Sequence, residues 1–314
     1  MRQITLDEAA SLLKEHDRFR LLTHSYPDGD TLGCAFALCF ALRKMGKQCN
    51  VAIDGRLPSK FTYLAKNYTE QSFDFEYVVS VDVAAPQLLS DSVKKGVGHI
   101  DLCLDHHRTN SIEADHIYVD GDAAAAAEII WQLLALLKVE IDEDIAAGIY
   151  TGISTDTGCF VYTNTTPRTH NIAAAVMPFC HWREINNINF VVKSRAKVKM
   201  ERMIYDTMEF YAGGACAIVY TTLAMQEALG AGDDEMEGLA SIPREIEGVK
   251  MGITMREKEG GVFKISVRTN DGIDAAAFCK QFGGGGHPAA SGCSIQGSLS
   301  DVKFKLIEAA EAYL

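Results

Sequence analysis

Nine cysteines contain no CxxC pair, and their number is odd. That absence argues against a disulfide framework and for reduced thiols in a cytosolic compartment. Cys34, Cys39 and Cys103 sit in apolar contexts and read as small core residues. No uninterrupted apolar run approaches the roughly 18 residues that a membrane span needs. The first residues, Met1 to Glu8, carry no apolar signal core. Thr5 and Glu8 instead fit a helix capping box, so the expected location is cytoplasmic, with no membrane partner. Internal repeats are absent. Positive charge is scarce in one half: the formal net charge is -12, and residues 1–182 hold 15 Lys and Arg against 24 Asp and Glu. Such a half grips long duplex DNA poorly. It suits a short ligand and a site where bound cations offset clustered carboxylates.

What is present reads as about two domains in 314 residues. Apolar runs at 19–23, 49–53, 77–81 and 100–104 alternate with helical patterns at 5–16, 31–45, 86–95, 123–137, 142–153 and 167–180. The alternation predicts an α/β domain over residues 1–191, a parallel doubly wound sheet with helices on both faces. Residues 192–210 favour helix and are basic at the start (Lys193, Arg195, Lys197, Lys199, Arg202), which predicts a helical linker. Strands at 215–221, 249–256, 262–268 and 289–295, with helices at 272–281 and from Ser300, predict a smaller α+β domain over 211–314.

The ends of the apolar runs carry the chemistry. His24, Asp28 and Asp30 follow the first, Asp82 follows the run at 77–81, and Asp105, His106 and His107 follow the run at 100–104. Asp156 lies just after the helix at 142–153. A strand-end Asp alone is ordinarily a turn former or a helix cap. Together, four carboxylates and two imidazoles can offset two divalent cations and leave coordination positions open. Two ions roughly 3.5–4 Å apart can activate water and steady a phosphoryl group. Oxygen ligands with two imidazoles favour Mn2+, with Mg2+, Co2+ or iron as substitutes.

Near the other end stands Gly283-Gly284-Gly285-Gly286-His287. Consecutive glycines can present backbone N–H groups and let a ligand approach closely. His287 adds a donor, and Arg268 on the strand before it can bind a phosphate through two parallel hydrogen bonds. The motif lacks the Gly-Lys-Ser/Thr ending of a Walker loop. His16, His99, His116, His170 and His181 read as structural or surface residues, and Trp131 and Trp182 as packing. Asp120 and Asp122 read as caps of the helix that follows.

His24-x-x-Pro27-Asp28-Gly29-Asp30, Asp82, Asp105-His106-His107 and Gly152-Ile153-x-x-Asp156-Thr157-Gly158 resemble the four motifs of the DHH phosphoesterase superfamily. Gly283 to Gly292 resembles the glycine-rich motif of its DHH-associated C-terminal domain, and the motifs together extend from residue 24 to 292. The resemblance implies that His24, Asp28 and Asp82 hold one metal, and that Asp30, Asp82, His106 and Asp156 hold the other, with Asp82 shared. His107 would face the scissile phosphate and Asp105 would orient its neighbours. Arg268, Gly284, Gly285, Gly286 and His287 would hold the substrate's terminal nucleotide. Water would be the nucleophile, with no covalent intermediate.

In size the chain is similar to the bifunctional oligoribonucleases and 3′-phosphoadenosine-5′-phosphate phosphatases of that superfamily. The implied activity is therefore release of mononucleotides from short RNA oligonucleotides, together with removal of a 3′-phosphate from that small nucleotide. A homodimer is implied as well. One departure bears on substrate choice: Cys159-Phe160 stands where the subfamily has an arginine. The alternatives are a cyclic-di-AMP or linear dinucleotide phosphodiesterase, an inorganic pyrophosphatase, and a non-catalytic nucleotide-binding regulator. The glycine-rich tail speaks against the pyrophosphatase, and the full ligand set against the regulator.

Overall fold

Six strands pair in parallel through the first part of the chain: β1 (Arg2–Gln3), β2 (Phe19–Leu22), β3 (Cys49–Ala52), β4 (Tyr77–Val81), β5 (Leu102–Asp105) and β6 (His116–Val119). Their order is β1-β6-β5-β4-β2-β3. The computed structural model describes residues 1–229, 238–270 and 272–314, and of Leu229 and His287 the backbone alone. It divides into two compact units, Met1–Val192 and Lys193–Leu314.

Side chains alternate across the first sheet, as strand geometry requires. Phe19, Leu21, Val79, Val81, Leu102 and Leu104 enter one core, while Leu22, Val78, Cys103 and Ile117 enter another. The neighbours of β2 are β3 on one side and β4 on the other, so the strand order reverses between β2 and β4. Beyond the carboxyl ends of strands at such a reversal lies the usual ligand crevice of an open α/β sheet.

Helices α1 (Leu6–Glu15), α2 (Gly29–Lys44), α3 (Ala126–Leu137), α4 (Glu143–Asp156), α5 (Pro167–Val176) and α6 (Trp182–Asn186) complete this unit with several single turns. The Thr5–Glu8 capping box opens α1. Helices α2 and α4 meet backbone to backbone. A Cβ on Gly33 would lie 2.3 Å from the Gly148 carbonyl oxygen, and one on Gly148 would lie 2.5 Å from that of Gly33. This antiparallel crossing brings the start of α2, with Asp28 and Asp30, to the end of α4, with Asp156.

Three local expectations change. The helix expected at 86–95 is one 3-10 turn, Pro86–Leu88. Serines compete with helix there: the Ser90 hydroxyl accepts from the Val93 N–H at 3.3 Å, and Ser92 donates to Asp54 at 2.5 Å. Val83, Leu89, Val93 and Ile100 therefore cover the second face of the sheet without an α-helix. The helix expected to reach residue 180 stops at Val176, ahead of a 3-10 turn containing Pro178. Strands β1 and β6 were not foreseen; β1, with two residues, is too short to show alternation.

The second unit opens with α7 (Arg195–Asp206), within the stretch expected as a helical linker, followed by β7 (Glu209–Tyr211). Strands β8 (Cys216–Thr221), β9 (Met251–Lys258), β10 (Val262–Thr269), β11 (Gly285–His287) and β12 (Ala290–Gln296) complete a mixed sheet in the order β11-β12-β10-β9-β8-β7. The pair β8–β9 is parallel and the other pairs are antiparallel. After α8 (Leu223–Leu229) come α9 (Ala275–Lys280) and α10 (Leu299–Glu311). Phe278 of α9 and Val302 and Leu306 of α10 share a core with Ile253, Ile265 and Ile295 of the sheet. Met200 and Ile204 of α7 pack with Val219, Leu239 and Ile242 in a second, smaller core.

Candidate metal centre

All six expected metal ligands come together at the carboxyl ends of β2, β4 and β5 and the facing ends of α2 and α4. The Nδ1 of His24 donates to the Ser25 carbonyl at 2.9 Å, which leaves Nε2 turned to Asp28, 3.6 Å away. Asp28 is the N-cap of α2, its Oδ1 accepting from the N–H groups of Asp30 and Thr31 at 3.0 and 3.2 Å. His106 repeats the arrangement of His24. Its Nδ1 donates to the Ala123 carbonyl at 3.1 Å, and its Nε2 lies 3.3 Å from Asp156 and 3.5 Å from Asp82. In both rings a backbone carbonyl engages Nδ1, so Nε2 is the nitrogen left facing the carboxylates and the one available to a metal.

Asp30 has a second task that the sequence reading missed. The helix α3 starts at Ala125, whose methyl side chain cannot cap it. The Asp30 carboxylate caps it instead, accepting from the N–H groups of Ala126 and Ala127 at 2.6 and 3.0 Å. Gly152 permits the fit, since a Cβ there would stand 2.5 Å from Asp30 Oδ1. Asp120 and Asp122, expected as caps of this helix, do other work. Asp120 accepts from Arg168, and Asp122 pairs with Arg108.

Asp82 is 3% exposed and its backbone is left-handed, with φ 56. An aspartate held in that region by its surroundings is a feature that clusters at functional sites. Its buried Oδ1 has no hydrogen-bond partner among the described residues. The Nε2 of His106 and the Nδ1 of His107 stand 3.5 and 3.6 Å from that oxygen. His107 Nδ1 donates to Asp105 at 2.8 Å, and Asn110 donates to the other Asp105 oxygen at 2.6 Å. Asn110 was also missed; its position three residues after His107 was the available signal.

Electrostatics shows what the cluster lacks. Burial, and then the charges of Asp30, Asp28, Asp156 and Asp105, push Asp82 well above the usual carboxylate range. Burial, and then Asp30 and Asp28, do the same to Asp156. Burial lifts Asp30 too, against the pull of His106. Burial works against Asp28 and Asp105 as well, but hydrogen bonds from His24 and His107 respectively, the charges of those rings, and further bonds from the Thr31 and Asp30 N–H groups and from Asn110 together hold both low. The ring–carboxylate bonds raise His24 and His107 against their burial. A divalent cation would relieve this crowding of negative charge. Three overlapping sets have ligand atoms within 4.8 Å of one another: His24, Asp28 and Asp82; Asp30, His106 and Asp156; and Asp82, His106 and His107. The orphaned Asp82 oxygen and the all-oxygen-and-imidazole donor set fit divalent metal ions.

After α4 the chain makes a left-handed turn through Gly158, Cys159 and Phe160, with φ 54, 56 and 68. Phe160 stacks on His170 at 5.1 Å. Asn164 ties the turn back by donating to the carbonyls of Asp156 and Ala124 at 3.1 and 2.9 Å.

In the second unit part of the glycine run is engaged within the chain. The N–H groups of Gly283 and Gly284 donate to the carbonyls of Lys280 and Cys279 at 3.1 and 3.0 Å. Gly285 and Gly286 belong to the edge strand β11, paired with Gly292 and Ser291. Arg268 lies on β10, its Nη1 donating to the Val267 carbonyl at 3.0 Å. The side chain of His287, expected as a ligand donor, lies outside the described residues.

Comparisons with known proteins accord with this geometry. Residues 18–153 match the DHH family, N-terminal domain, and residues 217–314 match the DHHA1 domain. The chain is 30% identical over 294 residues to the bifunctional oligoribonuclease and PAP phosphatase NrnA of Thermus thermophilus, covering 91% of this chain and 87% of that protein. The fold is similar to the crystal structure of an exopolyphosphatase-related protein from Bacteroides fragilis, with TM-score 0.88, 21% identity and coverage of 98% and 96%. It is also similar to RecJ from Thermus thermophilus in complex with Mn2+, with TM-score 0.54, 15% identity and coverage of 98% of this chain and 55% of that one.

Proposed function

This chain belongs to the DHH family, and from that premise we propose that it hydrolyses short RNA oligonucleotides to mononucleotides and removes the 3′-phosphate of 3′-phosphoadenosine-5′-phosphate. It is a metal-dependent hydrolase. The Thermus relative bears the name of both activities. The observation that carries the reading is the buried, unpartnered oxygen of Asp82 amid three further carboxylates and two imidazoles.

In this reading His24, Asp28 and Asp82 hold one ion, and Asp30, Asp82, His106 and Asp156 the other. Manganese is the proposed ion, with magnesium or cobalt as substitutes. Bound there, divalent ions supply Lewis acidity toward the phosphoryl group and an attacking nucleophile from water at neutral pH. The protein's own share is positional. The carbonyls of Ser25 and Ala123 keep the two imidazoles aimed inward. His107, held against Asp105, would donate to a phosphate oxygen, its hold on a proton raised by Asp105 in spite of burial, and Asn110 keeps Asp105 in place. Arg268 and the Gly284–His287 edge take the substrate's terminal nucleotide. A cytoplasmic location, a homodimer and no use for long duplex DNA belong to the same proposal.

A second reading, a cyclic-di-AMP or linear dinucleotide phosphodiesterase, is favoured by one observation. The turn at Cys159 and Phe160 supplies no guanidinium where related enzymes have an arginine. Product analysis separates the two. Purified protein with manganese should release mononucleotide from a 5′-phosphorylated RNA dinucleotide and AMP from 3′-phosphoadenosine-5′-phosphate. If both stay intact while cyclic-di-AMP opens, the second reading replaces the first. If no phosphoester is cut yet nucleotides bind, the chain is a regulator.

A further inference from the structure

One arginine of the first unit grips the segment on which half of the metal centre rests. Arg168 is the second residue of α5, whose N-cap is Thr166. Its Nε donates to Glu128 at 2.5 Å and its Nη1 to Asp120 at 3.0 Å. Glu128 is fully buried and accepts a second bond, from the Thr169 hydroxyl at 2.6 Å. The third nitrogen, Nη2, is buried with no partner among the described residues. The guanidinium therefore grips the protein, and it is not the phosphate grip missing at Cys159.

Its two carboxylates bracket one stretch of backbone. Asp120 directly follows β6, and Glu128 stands in the first turn of α3. Between them the chain supports two expected metal ligands. The Ala123 carbonyl accepts from His106 Nδ1 at 3.1 Å, and the Ala126 and Ala127 N–H groups donate to Asp30 at 2.6 and 3.0 Å. Asp120 shapes the same stretch from within. Its carbonyl accepts from the Ala123 N–H at 3.1 Å, and its Oδ1 from the Asp122 N–H at 3.0 Å. Its own N–H donates to the Asp105 carbonyl at 3.1 Å, next to His106. One guanidinium thus pins both ends of the segment that aims His106 and Asp30. His24 and Asp28 lie outside this arrangement, since Ser25 orients the first and the start of α2 the second.

We propose that Arg168 is a positioning residue for one ion only, the one assigned above to Asp30, Asp82, His106 and Asp156. The inference rests on that division of ligands. A planar fork with two bonded nitrogens fixes the spacing and the orientation of Asp120 and Glu128 together. Outer partners of a metal site act by aiming its ligands; here the aim passes through the backbone from Ala123 to Ala127. The plainer role, a tie between α5 and α3, would cost stability without choosing between the ions.

The test titrates manganese into the chelated full chain by calorimetry, with free ion counted by its paramagnetic resonance signal. Arg168→Met is paired with Glu128→Gln, so that no buried charge is left alone; Asp120→Ala serves if that chain fails to fold. Wild type should take up two ions. In the variant one ion should bind about 10–100-fold more weakly, the worth of an outer partner, and the other as before. Equal weakening of both ions, or of neither, in a folded variant overturns the role of Arg168. His24→Ala, which removes a ligand of the other ion, should weaken the ion that the Arg168 variant spares. If both changes weaken the same ion, the assignment is overturned. No substrate enters the measurement, so absence of the proposed activity leaves this result standing. A wild type that takes up fewer than two ions would sink the two-ion reading, and this assignment with it.

Discussion

The Asp82 centre and the Gly284 edge hold their polar groups in opposite ways. At Asp82, side chains from three strand ends and two helix ends converge, and one buried oxygen is left without a partner. At Gly284, backbone N–H groups that could have met a ligand are already bonded to a helix, and the next residues enter a strand. An unsatisfied buried carboxylate costs free energy until something binds it. A satisfied backbone costs nothing and gains less from a ligand. In the proposed function the first site would supply the reaction and the second only a grip, with the charge of Arg268 as its strongest part.

Substitution should separate the two most sharply at their centres. Asp82→Asn keeps the shape but removes the shared charge. Turnover should fall at least about a thousandfold, beyond the roughly 10–100-fold that outer partners of a metal site are worth. Residual turnover above a tenth of wild type would remove Asp82 from the centre. Arg268→Ala should instead raise KM by roughly 10–100-fold, the worth of a charge-assisted hydrogen bond, with kcat nearly unchanged. A fall in kcat alone would erase the contrast between reaction and grip.

A smaller effect should come from the helix crossing that aligns the first centre. In Gly148→Ala the new methyl meets the Gly33 carbonyl oxygen at 2.5 Å and Ala37 Cβ at 3.0 Å. Overpacking of this kind costs about 1–3 kcal/mol, to be read from denaturant midpoints. The shift should also separate Asp30 from Asp156 and weaken manganese binding in calorimetry. Full stability with full metal affinity would show that the crossing does not set the centre.

These sites also differ in how far the sequence revealed them. His24, Asp28, Asp30, Asp82, His106 and Asp156 were legible because each follows an apolar run or a helical pattern, and strand ends of a parallel sheet share one edge. The capping of α3 by Asp30 was not, since it joins positions 30 and 126 through tertiary packing alone. Asp120 and Asp122 looked better placed by local spacing, but Arg168 and Arg108 engage them. The glycine run was only partly legible for a similar reason. Composition reports that a backbone is free to bend; it does not report which N–H groups a neighbouring helix and strand take. The serines at 90 and 92 likewise replaced a helix with turns through bonds a hydrophobic pattern cannot show.

The smallest expected effect tests the charge balance of the first centre directly, by comparing chelated and metal-loaded protein across pH. Asp82 and Asp156 have folded pKa values raised above their unfolded ones. Between those values the folded metal-free chain binds more protons than the unfolded chain, so its stability falls as pH rises above about 4. Asp28 and Asp105 are lowered, so their contribution is present above the unfolded value and is lost only as pH falls through the folded one. The chelated protein should therefore melt a few degrees higher at about pH 5.5 than at about pH 8, at roughly 2–4 °C per kcal/mol. His24, His107 and Asp30 are raised as well and act in the same direction, so Asp82→Asn should lessen this slope without abolishing it. Manganese should reverse it, because the ions bind the ionised carboxylates and proton release favours the loaded state. A chelated wild type whose midpoint climbs with pH over that range would mean that the crowded carboxylates are not what the metal relieves.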